Sequence, residues 1–307
     1  MSESPDVVYL EEPKSIQLRA PRVVVALTGW PDAAQVASRA ALFLQEGLEV
    51  VHFAELHAEE FHDYTTSRPT VAIVDGRVKG ISYPRGDFYY WRNPAPDGGD
   101  LIVFVGSEPQ LRWQRYIAAL LDVAVGQGAV ALYALGGLYD DVPHTRPPRL
   151  SSTCEGAALR ARLRALGIVF SDYEGPASLH TALVAECRAR RLPAASIWGH
   201  APSYAQLSWN PLVTVALLDA LGRLLNLPLD LDEVRSAADH LKRALDGLSG
   251  SDPQIGAMLA KLEASFDSDE GQPASEEPVS ERVLREVEEI LRRHGESDGG
   301  GGGPELP

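Results

Sequence analysis

The chain has 307 residues, of which 45% are hydrophobic and 23% charged, the balance of a globular protein rather than a disordered one. Its net charge of -15 and its lack of a Lys/Arg cluster disfavour nucleic acid and anionic membranes as partners. The two cysteines, Cys154 and Cys187, lie in unrelated segments, which disfavours a disulfide framework, and no apolar run approaches the roughly 20 residues of a membrane span. We therefore expect a cytoplasmic protein.

The predicted elements alternate between strand and helix through most of the chain. Unbroken apolar runs rich in β-branched residues indicate strands buried on both faces, and apolar residues at helical spacing behind a capping residue indicate helices. In chain order the sequence predicts a strand at 23–27, a helix at 32–44, a strand at 48–53 that completes a βαβ unit, a hairpin at 71–83 around Asp75-Gly76, a strand at 101–105, a helix from the capping-box pair Ser107 and Gln110 to about 125, strands at 129–135 and 149–153, a helix at 155–165, a strand at 168–171, a helix at 181–191, a strand at 194–198 and a helix at 210–225. This alternation is typical of the α/β class, with a mostly parallel sheet covered by helices on both faces.

The β signals stop after Pro228. Two amphipathic helices follow, and beyond them the sequence becomes acidic and finally rich in glycine. The predicted helices lie at 231–248, 253–266 and 279–294. The resulting division is an α/β domain at 1–228, a helical extension at 229–266 that packs on it, and an acidic linker, terminal helix and disordered tail at 267–307.

Polar and aromatic residues follow the predicted strands, at the edge where open α/β sheets usually bind ligands. Asp32 also suits a helix cap, Glu108 a place in the first turn of a helix, and Trp30 simple packing. The residues expected to line a pocket are Trp30, Asp32, Glu108, Asp140, Tyr173 and Glu174.

His144 and Arg146 are the strongest candidates for chemistry, because Pro143 and Pro147 restrain the backbone around them. His144 could transfer a proton near neutral pH, and Arg146 could hold a carboxylate or phosphate with its planar fork. The alternative interpretation is that both side chains tie loops together or line a subunit interface.

The sequence predicts neither a cofactor nor a metal. His52, His57 and His62 recur every five residues, which places them on neither one helix face nor one strand face. Gly136-Gly137 lacks the glycine patterns of nucleotide-binding loops, and Ser151-Ser152 lacks the G-x-S-x-G elbow of hydrolases.

Five short motifs share their order with one known family. They are Gly29-Trp30 with Asp32-Ala33, Glu108-Pro109 with Arg112-Trp113, Pro143-His144-Thr145-Arg146-Pro147, Tyr173-Glu174-Gly175-Pro176, and Asn210-Pro211 before a Leu-rich helix. With these motifs the chain resembles the PAC2 family, named after a eukaryotic proteasome assembly chaperone, and looks like its actinobacterial branch. The resemblance implies a three-layer α/β/α sandwich similar to nucleoside phosphorylases and peptidyl-tRNA hydrolases. It also implies a homo-oligomer, with a trimer favoured, and a chaperone-like or scaffolding role linked to proteasome subunits.

Two departures from the family pattern bear on pocket chemistry. Pro202-Ser203-Tyr204 stands where relatives usually have Pro-His-Tyr, and Ala177-Ser178-Leu179-His180 replaces a glycine-rich stretch. These departures disfavour pocket chemistry that depends on those positions. The role that the resemblance implies is that of a binding protein rather than an enzyme. The alternative is a hydrolase- or phosphorylase-like enzyme for a small anionic or nucleoside-like substrate, with His144 and Arg146 at its site.

Overall fold

A computed structural model of the chain describes residues 5–57, 59–96, 98–170 and 172–268. The chain divides into two compact units, Met1–Pro273 and Ala274–Pro307, and all described residues belong to the first. The predicted helix at 279–294 and the glycine-rich end lie outside the described residues.

The elements within the described residues follow the predicted alternation. The strands are β1 (Val7–Tyr9), β2 (Arg22–Thr28), β3 (Val51–Leu56), β4 (Thr70–Val74), β5 (Arg77–Ser82), β6 (Gly86–Trp91), β7 (Leu101–Ser107), β8 (Ala131–Asp140), β9 (Leu150–Glu155) and β10 (Ala194–Pro202). The helices are α1 (Val36–Gly47), α2 (Trp113–Gly126), α3 (Ala157–Ala165), α4 (Leu179–Ala189), α5 (Pro211–Leu225), α6 (Asp232–Ser251) and α7 (Pro253–Ser268). None of these helices is long and apolar enough to cross a bilayer.

Eight strands form one sheet in the order β1-β3-β6-β7-β2-β8-β10-β9, and β4 and β5 form a separate two-stranded sheet. The four central strands, β7, β2, β8 and β10, pair in parallel, whereas the pairs at both edges are antiparallel. Because β3 also runs in the central direction, most strands of the sheet point the same way. The predicted mostly parallel α/β sheet is confirmed.

The predicted βαβ pairing is wrong in one respect. β3 does not lie beside β2, because β6 and β7 lie between them. β6 is missing from the predictions, although alternate residues such as Phe88 and Tyr90 are buried in it. Apolar periodicity identifies strands but does not say which strand lies next to which, so this insertion was not predictable from pattern alone.

Two further local predictions are wrong. Ser107 ends β7 instead of capping a helix, and α2 begins only at Trp113, after Arg112 with a φ of 54°. Of the predicted strand at 168–171, the described residues 168–170 form only one bridge, between Val169 and Ser151. At Ser107 the pairing of β7 with β2 determines the backbone conformation, which local spacing does not encode.

Helices cover both faces of the sheet. In β2, Val24 and Ala26 face the core that contains α1, α3 and α5, while Val23, Val25 and Leu27 face the core that contains α2 and α4. All five side chains are fully buried. The fold is the expected three-layer α/β/α sandwich, and α6 packs against α5 through Val234.

Candidate functional site

Glu108 joins the loop after β2 to the start of α4. Its carboxylate accepts the backbone N–H of Leu179 at 3.3 Å and also a hydrogen bond from the backbone of Trp30. Burial raises the pKa of Glu108, and these two hydrogen bonds oppose the rise only in part. The side chain packs so closely on Gly29 that a Cβ there would lie 3.4 Å from the Cβ of Glu108. Glu108 therefore holds two loops of this sheet edge together.

Trp30, next to this joint, is 65% exposed and meets the edge of the Trp198 ring at a centroid distance of 6.4 Å. On the same indole lies His180, with its ring centroid 5.2 Å away. His180 is fully buried, and neither of its ring nitrogens has a hydrogen-bond partner among the described residues. Burial lowers the pKa of His180 to about 3, so the imidazole is neutral at physiological pH. The burial of His180 without a partner was not predicted, because such a histidine leaves no signal in a single sequence.

Asp32 caps the first turn of α1 with its side chain, as one of its two interpretations predicted. The predicted start of the helix at 32 is wrong, because a 3-10 turn precedes α1 and its N-cap residue is Gln35. Its Oδ1 accepts the backbone N–H groups of Ala37 at 2.9 Å and Ser38 at 3.1 Å. The side chain is buried, and desolvation raises the pKa of its carboxyl group. The residue also bridges to Gly137 beside it in the sheet.

Tyr173 and Glu174 lie in an exposed loop before α4. The Tyr173 hydroxyl donates to the backbone oxygen of Pro176 at 3.1 Å, and its ring lies against Gly175. This loop therefore folds back on itself, and the pocket role of both residues stays a prediction.

Asp140, at the end of β8, belongs to a buried chain of three polar side chains. Its Oδ2 lies 2.8 Å from Nδ1 of His200, and Nε2 of that ring lies 2.8 Å from the hydroxyl of Ser151. His200 is 2% exposed and Ser151 4%. Burial favours the neutral acid, but hydrogen bonds and charge interactions, chiefly with His200, hold the pKa of Asp140 below its usual range. Neighbouring strands β8, β10 and β9 place these residues side by side, a pairing that the sequence does not reveal.

The His144 imidazole is enclosed by Tyr204 and by α6. Its Nδ1 lies 2.6 Å from the Tyr204 hydroxyl, which also accepts the His144 backbone N–H at 2.8 Å. Its Nε2 lies 3.2 Å from Oδ1 of Asp246 in α6, and only 2% of the side chain is exposed. Burial lowers the pKa of His144, while Asp246 opposes that shift.

Arg146 is held by α7. Its Nε and Nη2 donate to the two carboxylate oxygens of Asp267 at 2.8 and 2.7 Å, and its Nη1 lies 3.3 Å from Glu263. The adjacent Thr145 hydroxyl also hydrogen-bonds to Glu263, and the Arg149 guanidinium stacks over the Phe266 ring at 4.5 Å. The planar fork predicted to bind an anion is thus occupied by a carboxylate of the same chain.

The space left at this loop is small. A crevice lined by His144, Arg146, His200 and neighbouring residues has a volume of about 10 Å³. That is about the space one water molecule needs, whereas small-molecule sites usually measure about 300–1,000 Å³. A nucleoside or a small acid cannot enter until α6 and α7 move. The predicted proton-transfer and anion-binding roles of His144 and Arg146 stay predictions.

We expect Arg146→Ala to loosen α7. The variant removes the bidentate contact to Asp267 and the contact to Glu263, so the helix should open more often. Hydrogen exchange followed by mass spectrometry should show faster exchange in α7 and unchanged exchange in the buried helix α2. Arg223→Ala, at an exposed position of α5, is the matched control. Equal α7 exchange in both variants would contradict this role of Arg146.

A second polar cluster lies on β3 and β6, toward the opposite edge of the sheet from β8, β10 and β9. Potential metal-ligand atoms of His52, Glu55 and Asp87 lie within 4.8 Å of one another. The Arg85 guanidinium lies 3.0 Å from Glu55 and 3.0 Å from Asp87, so a side chain of the chain already supplies positive charge to both carboxylates. We assign no metal role to this cluster.

Fold and site together define a three-layer α/β/α protein whose candidate loops are tied down by contacts within the chain. A family model described as the PAC2 family matches residues 26–249, and the chain therefore belongs to the PAC2 family. Among proteins with curated descriptions, none matches this chain.

Solved structures are similar over most of the chain. A proteasome-assembly chaperone homologue of Mycobacterium tuberculosis is 28% identical, with a TM-score of 0.71 over 78% of this chain and 99% of its own. A PAC2 family protein from Streptomyces avermitilis is 32% identical, with a TM-score of 0.70 and the same coverage, 78% and 99%. An archaeal proteasome activator of Pyrococcus furiosus is 19% identical, with a TM-score of 0.63 over 80% of this chain and 99% of its own, and shares the fold.

Proposed function

We propose that this PAC2-family chain is a chaperone-like or scaffolding protein that binds proteasome subunits during their assembly. The observation that carries the proposal is the occupied loop after β8. Every polar group predicted there for chemistry already has a partner in the chain, and the adjoining crevice holds about 10 Å³. A protein that works by contact rather than by turnover needs no larger cavity at this edge. The name of the Mycobacterium tuberculosis relative, a proteasome-assembly chaperone homologue, supports the same role.

The proposal includes a cytoplasmic location and a homo-oligomer, with a trimer favoured. The net charge of -15 disfavours nucleic acid and anionic membranes as partners, which leaves protein surfaces as the expected targets. We propose that the α/β domain at 1–228 carries the surface that binds the proteasome subunits. The extension at 229–266 then seals its sheet edge.

One observation favours a second candidate function, a hydrolase. The distances among Ser151, His200 and Asp140 are those of a nucleophile, a base and the acid that orients the base. However, Ser151 lies within strand β9 and is 4% exposed, so its hydroxyl is not presented to a substrate. This is why we place the hydrolase second.

A pull-down with purified components tests the proposed function. The full chain, immobilised through a tag, should enrich purified 20S α or β subunits of its own source organism at physiological salt. The Arg146→Ala variant should retain this binding if the α/β body carries the contact. Failure to enrich either subunit class would contradict the assembly role.

A further inference from the structure

The hairpin β4–β5, which we call the arm, stands apart from the main sheet with an apolar face open to solvent. Its two strands pair only with each other, and every residue of both strands is exposed. Of the 18 exposed large apolar residues in the described part of the chain, six lie in the arm or directly after it: Val71, Ile73, Val74, Val78, Ile81 and Tyr83. Such a concentration is rare on monomeric proteins and marks an interaction surface.

A β-bulge gathers four of these side chains on one face. Val71 lies opposite Ile81, and Ile73 lies opposite Val78, so each pair shares a face. Residues 71 and 73 are two apart on one strand and also share a face. On the other strand the register shifts, Lys79 has no opposite residue, and Val78 is thereby brought to the same side as Ile81.

This apolar face needs a cover that the described part of the chain does not provide. Its four side chains, Val71, Ile73, Val78 and Ile81, are between 52% and 63% exposed. A two-stranded hairpin is marginally stable on its own in water, and an amphipathic one gains stability only when its apolar face is buried. Burial of this face by another molecule would therefore stabilise the arm.

A cleft at the base of the arm has the complementary character. It measures about 720 Å³ and is lined by Glu55, His57, Glu59, Tyr64, Ile81, Ser82, Tyr83, Pro84 and Arg85. Ile81 belongs both to this cleft and to the apolar face, so the two surfaces are continuous. Near the tip of the arm, Arg77 and Lys79 have no ion-pair partner among the described residues, and in the cleft the same is true of Glu59.

We propose that the arm of one copy of this chain docks in the cleft of a second copy. Its apolar face then packs on Tyr64, Tyr83 and Ile81 of the next copy, while Arg77 and Lys79 approach the carboxylate of Glu59, since the carboxylate of Glu55 is already paired with Arg85. Every copy carries one arm and one cleft, so the same contact can repeat from copy to copy, and it forms a ring where the rotation between copies closes. The inference rests on the proposed self-association and assigns its surface.

Sedimentation velocity of the full chain over a range of concentrations tests this contact. The double variant Ile73→Ser/Val78→Ser should weaken self-association by at least about tenfold, because it removes apolar area from the interface. Both positions are exposed, so the fold should persist, which circular dichroism and thermal unfolding will check. Val125→Ser/Val130→Ser, at exposed valines outside the arm, is the matched control and should associate like the wild type.

Charge reversal gives an independent measurement. Lys79→Glu should weaken association, and adding Glu59→Lys to the same chain should restore it, since the proposed contact then has its charges exchanged. Failure of the second change to restore association would overturn this charge pairing.

The mass measured by sedimentation tests the arm contact and the proposed self-association separately. A wild type that associates, with arm variants that do not, supports the arm. An associating wild type whose arm variants associate equally would overturn the arm but leave the oligomer intact. A wild type that stays monomeric would overturn both. A mass of two copies that the arm variants lose would support the arm and contradict the trimer.

Discussion

Acidification from pH 7 to pH 5 lowers the free energy of unfolding by roughly 2 kcal/mol through His180 alone. Its folded-state pKa of about 3 lies well below the ordinary value of 6.5, because the buried ring has no partner that would stabilise a proton. The stability that the neutral ring contributes is fully present above about pH 6.5 and is lost as the pH falls toward 3, at about 1.4 kcal/mol per pH unit.

Urea unfolding at pH 7 and pH 5 measures this loss. His62 and His144, whose pKa values are also lowered by burial, add to the wild-type loss, so the comparison is with His180→Phe. That variant should lose about 2 kcal/mol less on acidification than the wild type. His240→Phe, at an exposed position of α6, is the control and should behave like the wild type. An unchanged loss in His180→Phe would show that the ring is already protonated or already partnered.

Asp140→Ala should destabilise the fold by about 3 kcal/mol, whereas Ser151→Ala should cost about 1 kcal/mol. Removing the carboxylate leaves Nδ1 of the buried His200 without a charged partner, whereas removing the hydroxyl leaves Nε2 of the same ring without a neutral one. Hydrogen bonds to charged groups are the stronger kind, so the first loss costs more. Asp219→Ala is the control, because it removes a carboxylate that forms an exposed ion pair with Arg235 and should cost less than about 1 kcal/mol.

Equilibrium urea unfolding at pH 7 ranks the stabilities of these variants. The ranking distinguishes a structural from a catalytic role of Asp140, His200 and Ser151. A structural role predicts a larger loss of stability for Asp140→Ala than for Ser151→Ala, and no covalent labelling of Ser151 by a fluorophosphonate. A catalytic role predicts labelling of Ser151 and nearly unchanged stability in Ser151→Ala. Labelling at Ser151 would move the hydrolase to first place.

The same carboxylate adds a pH dependence at the acid end. The folded-state pKa of Asp140 is lower than its ordinary value, so its contribution is present above the usual aspartate range. That contribution is lost as the pH falls below this range toward the folded-state pKa.

The sequence predicted the central layers of the fold from local signals alone. The run at Val23 to Leu27 became the doubly buried strand β2, and Asn210 caps α5 with its side-chain oxygen accepting the N–H of Val213. Asp75-Gly76 turns the arm as expected, with φ angles of 51° and 72°. Each of these features depends on residues close in sequence.

Features that depend on distant residues were not predictable. The position of β6 between β3 and β7, and the meeting of Ser151 with His200, require the sheet order. The carboxylate partners of His144 and Arg146 come from α6 and α7, about 100 residues farther along the chain, and amphipathic spacing does not say where such helices dock. The interpretation that these side chains tie loops together agrees with the contact between His144 and Tyr204, but it did not include the contacts with helices α6 and α7.

The proposed binding of proteasome subunits is tested most directly by sedimentation velocity. The full chain is titrated with purified 20S α subunits and, separately, with β subunits. We expect a saturable complex of defined mass with at least one of the two subunit classes. Independent sedimentation of the chain with both classes, up to the highest concentrations reached, would contradict the account.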